Sequence, residues 1–146
     1  MQRRLGLTLI LLCVMAPAFP HGARQGELYI AHPHAHPGGP GELPLFIAAL
    51  RNGEPRAERL LGARSPLGPI SLQRRGAEGQ YADVEAMPLP SGERVGLRAG
   101  AEYRLLLRGL GKPVQAGERL PISLLFEQAG AIDTVIHVEL PKDPRP

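Results

Sequence analysis

Three histidines at alternate positions, His32-Pro33-His34-Ala35-His36, are the residue types in this chain best able to do chemistry. Imidazole nitrogen suits Cu(II) and Zn(II). Near pH 7 an unperturbed histidine is mostly neutral, so its lone pair is available. In an extended strand, alternate side chains share one face with their Cα atoms roughly 7 Å apart. An adjacent pair can converge on one ion at metal–nitrogen distances of about 2.0–2.1 Å, whereas all three reaching it would require the chain to bend. Pro33 and Pro37 hold His32 and His36 in extended or polyproline-like geometry. His32, His34 and His36 are therefore the candidate metal ligands, for Cu(II) with Zn(II) as the alternative. The competing reading is three solvated loop histidines, since a short histidine tract is only a compositional signal.

The other histidines have weaker claims. If a leader is cut after Ala18, His21 becomes the third residue. That position can chelate Cu(II) through the terminal amine and two amides, but Pro20 has no amide hydrogen to lose. His21 then counts only as an auxiliary ligand to the 32–36 cluster. His137 sits on the polar side of the last apolar stretch, where a lone histidine reads as structural or solvated. Sulfur is scarce: Cys13, Met1 and Met15 all lie in the N-terminal segment, which leaves Met87 alone beyond it. No nucleophile motif surrounds Ser65, Ser71, Ser91 or Ser123. There is no glycine-rich phosphate loop, CxxC or HExxH, and the chain does not read as an enzyme. Asp83 with Glu85, and the arginines Arg74, Arg75, Arg98, Arg104 and Arg108, read as solvated charge.

The elements that must position these residues are short. Proline and glycine punctuate the chain, and the apolar stretches between them have the length and alternation of strands. Strands are expected at 28–36, 43–50, 59–64, 70–74, 80–87, 94–98, 103–110, 120–128 and 132–140. A hairpin is expected around Gly76-Ala77-Glu78-Gly79, another across Ala129-Gly130, and a break at Pro88 to Gly92. About nine short strands with frequent turns make an all-β, Greek-key sandwich or barrel. In the last strand Ile132, Ile136, Val138 and Leu140 share a face, and Asp133, Val135, His137 and Glu139 point the other way.

Arg3 and Arg4, the apolar run Leu5 to Met15 and the small residues Ala16-Pro17-Ala18 form a secretory signal over residues 1–18. The run is too short to span a bilayer, which takes roughly 20 residues. Leu12 before Cys13 argues against lipoprotein processing there. Residues 19–25 read as a loose leader, 26–140 as one β-domain and 141–146 as a disordered tail. The signal holds two of the 17 basic residues and none of the 14 acidic ones, so the exported chain is close to neutral. It shows no basic patch for nucleic acid and no segment for stable membrane insertion once the signal is removed.

The segment order resembles the periplasmic copper chaperones of the PCuAC type. The resemblance runs through Gly26-Glu27-Leu28-Tyr29-Ile30-Ala31-His32-Pro33, Ala48 to Asn52, and Arg59 to Pro66. It continues through Met87-Pro88-Leu89-Pro90-Ser91-Gly92, Leu97 to Gly100, Tyr103 to Leu110, Gly117 to Leu124 and Phe126-Glu127. It implies a cupredoxin-like β-barrel, a periplasmic location and copper carried toward the CuA centre of cytochrome oxidase or another periplasmic copper protein. It also implies a Cu(I) site of two histidines and two methionines, and here the chain departs from the family. Gln73 stands at one histidine position and a residue near Tyr81 at one methionine position. Arg104-Leu105-Leu106 replaces His-x-Met. Soft thioethers select Cu(I), and Arg104 brings a permanent positive charge, so that site reads as filled in. Two functions follow. One is a divergent copper-binding chaperone whose His32, His34 and His36 hold Cu(II) or Zn(II). The alternative is a metal-free β-domain that uses Gln73, Tyr81, Arg104 and Leu106 for protein or small-molecule contact.

Overall fold

The structure, a computed structural model, describes residues 22–142. The signal reading over 1–18, His21 and residues 143–146 of the tail lie outside it. Eleven strands make up the described chain. They are β1 (Gly22–Gln25), β2 (Leu28–Ala35), β3 (Gly41–Asn52), β4 (Glu58–Ser65), β5 (Gly68–Arg75), β6 (Tyr81–Asp83), β7 (Met87–Leu89), β8 (Arg94–Leu97), β9 (Tyr103–Leu110), β10 (Arg119–Phe126) and β11 (Gly130–Val138). Seven of them close a ring in the order β2-β11-β10-β4-β5-β9-β3, with β3 pairing back onto β2. Closure leaves the ring no terminal edge strand, and open stretches such as Leu28–Ala31 of β2 take the short strands. The short strands β1, β6, β7 and β8 attach to β2, β5, β4 and β3. The all-β, cupredoxin-like expectation therefore stands, as a closed barrel.

Period-two alternation builds the core. Leu105 and Leu107 of β9, Leu120, Ile122, Leu124 and Phe126 of β10, and Ile132, Ile136 and Val138 of β11 point inward and are buried. Every strand pairing among the described residues is antiparallel except one. β2 and β11 run parallel and share two registered pairs, His137 with His34 and Val138 with Ala35. This short seam completes the ring.

Two strands change faces partway along. In β2, Leu28 and Ile30 point inward, but beyond Ala31 the inward residues are Pro33 and Ala35. Odd positions replace even ones because His32 is not in the extended geometry expected before Pro33 but takes a φ of 48°, in the left-handed region that residues with a Cβ seldom occupy. In β3 the inward set Leu43, Leu45, Ile47 and Ala49 gives way to Leu50 and Asn52. A β-bulge against β8 between Ile47 and Leu50 accounts for that switch. Ala31 pairs with Ala49, so both strands turn at the same level.

The structure departs from the sequence reading in four further places. Gly22–Gln25, expected as part of a loose leader, pairs with Leu28–Ala31 as β1. The expected 80–87 strand divides in two: β6 pairs with β5, while β7 leaves for β4. Part of the expected break at Pro88 to Gly92 is thus β7. Pro88 is tolerated there because β7 pairs on one side only. Leu140 is 70% exposed rather than on the core face, since β11 ends at Val138.

Candidate metal centre

The face switch at His32 decides where the histidines go. Had the alternation begun at Leu28 and Ile30 continued, His32, His34 and His36 would point into the barrel. With the switch they line its outer surface, all three half-buried. His32 and His34 come together, with ring centroids 4.8 Å apart. His34 is 5.8 Å from His36, and both rings pack against Phe46 of β3 at 5.4 and 5.2 Å.

A carboxylate completes the group. Glu139, one residue past the end of β11, lies across the parallel seam, where its amide donates to the Ala35 carbonyl (2.9 Å). Nε2 of His32 donates to Oε1 of Glu139 at 2.9 Å. His32, His34 and Glu139 each offer a ligand atom within 4.8 Å of the others. Burial pushes the Glu139 carboxyl up. The hydrogen bond from His32 and the charges of His32, His34 and Lys142 outweigh it, so the group sits below the ordinary glutamate value.

Backbone carbonyls fix two of the ring tautomers. Nδ1 of His34 donates to the His32 carbonyl at 3.0 Å, and Nδ1 of His36 to the Glu139 carbonyl at 3.2 Å. A carbonyl only accepts, so the proton is on Nδ1 and the Nε2 lone pair is left for a ligand. Metal-binding histidines are commonly oriented in this way. His36 stands beside the three-donor group rather than in it. With His34, Phe46, Ala48, Arg98 and Ala99 it lines a groove of about 270 Å³. The guanidinium of Arg98 donates to the Ala48 carbonyl at the bulge, at 3.3 and 3.4 Å.

The positions matched to the missing methionines and histidines form a closed polar network elsewhere on the barrel. Gln73 is buried. Its amide donates to Asp83 (2.8 Å), and its oxygen accepts from Arg104 Nε (2.8 Å). The Arg104 guanidinium covers the Tyr81 ring at 4.0 Å, and the Tyr81 hydroxyl donates to the Ala101 carbonyl. Leu106 is buried two residues along β9. Arg108 reaches Ser71 (3.0 Å), Glu42 (3.7 Å) and Asp83 (3.6 Å). Arg104 and Arg108 are thus half-buried partners in a network, whereas Asp83, though it joins that network, is solvated as expected. Met87 is fully buried in the core.

Sequence reasoning passed over Glu139 as a ligand, although it placed Glu139 on the outward side of the last strand with His137. The missing information was the parallel pairing of β2 with β11, which joins the two ends of the domain. Gly22, the residue after His21, pairs with Ala31, the residue before His32.

The comparisons with known proteins agree on the fold. The LpqE-like profile, which describes a lipoprotein family, matches residues 27–138. Among solved structures, the copper-bound PCuAC domain from PmoF2 is 28% identical over 83% of this chain and 99% of its own, with a TM-score of 0.70. The apo PCuAC domain from PmoF1 is 19% identical over 83% of this chain and all of its own, with a TM-score of 0.72. The Cu(I) form of DR1885 from Deinococcus radiodurans is 18% identical over 80% and 82%, at a TM-score of 0.60. The last two likenesses show the fold alone. No curated protein sequence matches the chain. Among the described residues, no helix is long and apolar enough to cross a membrane.

Proposed function

Because the chain belongs to the LpqE-like family, we propose that it is an exported copper-binding protein of chaperone type, working in the periplasm, and that it holds its cargo at His32, His34 and Glu139. The observation that carries this reading is the donor set: two imidazoles on β2 and a carboxylate just past the end of β11, within 4.8 Å of one another at the barrel seam. Two nitrogens and one oxygen suit Cu(II), with Zn(II) next. An arriving cation takes the place of the proton that His32 shares with Glu139. His34 turns its unprotonated Nε2 toward it, and His36 stands by as a further ligand. The copper-bound relative supports copper over zinc as the cargo. The acceptor on this reading is a CuA domain of cytochrome oxidase or another periplasmic copper protein.

The second reading, a metal-free module working through Gln73, Tyr81, Arg104 and Leu106, has less on its side. The buried Gln73 spends both ends of its amide on Asp83 and Arg104, and the Tyr81 hydroxyl is taken up by the Ala101 carbonyl.

Isothermal titration of the exported protein with Cu(II), Cu(I) and Zn(II) tests the proposal. A His32→Ala, His34→Ala, His36→Ala variant, Glu139→Gln and His21→Ala would be measured alongside. Cu(II) should bind one to one. The triple variant should abolish binding, and Glu139→Gln should weaken it by about tenfold or more. No Cu(II) binding, or equal binding by the triple variant, overturns the reading.

A further inference from the structure

The donor set has a consequence for how cargo leaves. Its ligand atoms are imidazole nitrogens and a carboxylate oxygen, with no sulfur. Met87 supplies the only sulfur among the described residues, and it is fully buried among the core side chains. Imidazole and carboxylate favour Cu(II), whereas Cu(I) is selected by thiolate and thioether. The negative charge on Glu139 also attracts a dication more strongly than a monocation.

We infer that copper at His32, His34 and Glu139 is held as Cu(II) and discharged by one-electron reduction, to an acceptor whose thiolates supply the electron and then the ligands. This rests on the proposed metal site. Two thiolates each give one electron to a Cu(II) ion, and their sulfurs join in a disulfide. Two Cu(I) ions are released, and further thiolates or thioethers capture them. His32, His34 and Glu139 are chemically unchanged, and the proton between His32 and Glu139 returns from solvent.

The test begins with the exported protein loaded with one equivalent of Cu(II), freed of excess metal and checked by electron paramagnetic resonance. Without that signal the metal site itself fails, independently of the release step. The loaded protein is then held anaerobically with the Cu(I) chelator bicinchoninate, with and without ascorbate, and in a further arm with a dithiol peptide in place of ascorbate. Copper should stay on the protein without reductant and move to the chelator or peptide with it. Retention of Cu(II) should exceed that of Cu(I) by at least about tenfold. A Glu139→Met variant, which adds a thioether, should bind Cu(II) more weakly and keep Cu(I) longer after reduction. Copper that stays bound after reduction, or Cu(I) held as tightly as Cu(II), overturns the inference. So does a Glu139→Met protein that releases Cu(I) no more slowly than the parent.

Discussion

Two substitutions at His32 separate what its side chain does from what its backbone does. His32→Ala and His32→Gly both delete the imidazole, so both should lose Cu(II) binding and the bond to Glu139. They differ at the φ of 48°. A left-handed residue with a Cβ costs about 1–2 kcal/mol that glycine avoids. Glycine returns about 0.4–1 kcal/mol of that through the greater freedom of its unfolded chain. The His32–Glu139 pair is about one-third exposed on each side, and such pairs contribute at most about 1 kcal/mol. His32→Ala keeps the strain and loses the pair, so it should be destabilised by up to about 1 kcal/mol. His32→Gly loses the pair and the strain together, so it should be more stable than His32→Ala by about 0.5–1 kcal/mol. For a domain of this size that is roughly 2–4 °C in Tm. The assay is thermal and urea unfolding in EDTA, with Cu(II) titration of the same samples. An alanine variant as stable as the glycine variant would refute the assignment of strain to His32. A glycine variant that still binds Cu(II) would remove His32 from the ligand set.

Three further outcomes are expected. Met87→Leu should leave binding of both copper ions unchanged and alter stability by less than about 1.5 kcal/mol, because Met87 is a buried packing residue and not a ligand; titration and unfolding check it. Glu58 is buried and accepts the backbone amides of Arg59, Gln128 and Ala129, pinning the β10–β11 turn to β4; Glu58→Ala should cost about 3 kcal/mol by urea unfolding, with Glu58→Gln between it and the parent. The Glu27 carboxyl is held below the ordinary glutamate value chiefly by the Tyr29 hydroxyl; burial pushes it back up, and Arg24 and then Arg51 add to the lowering; in Tyr29→Phe its midpoint by carboxyl NMR should rise. The stability linked to Glu27 is present above its unfolded-state pKa and is lost as pH falls through the lower folded value.

The barrel was legible in the sequence because its strands alternate. Tyr103 to Leu110 falls where its pattern placed it, and Ile132, Ile136 and Val138 face the core as their period requires. The alternation fails at Ala31 and His32, where two periods of opposite phase meet in β2. No local rule marks His32 as a left-handed residue, because glycine or asparagine would be the expected choice there. Gly22–Gln25 carries no apolar pattern and becomes a strand only because β2 offers it an edge. The candidate site was half legible. The histidines announce themselves by spacing, but Glu139 lies 107 residues from His32. Only the parallel pairing of β2 with β11 makes them neighbours.

That pairing gives the metal group a mechanical role. Most ring neighbours share longer antiparallel ladders, as between β10 and β11 or β2 and β3, while β4 and β5 share two registered pairs. Between β2 and β11 it rests on two registered pairs and the bond from Glu139 to Ala35. On the proposed reading, a cation gripped by His32 and His34 on one side and Glu139 on the other would be a clasp across that join. Cargo and fastener would then be the same ion, and the loaded barrel should be the tighter one. Amide hydrogen exchange at Glu139, whose N–H bonds the Ala35 carbonyl across the join, should then slow on loading and quicken on release.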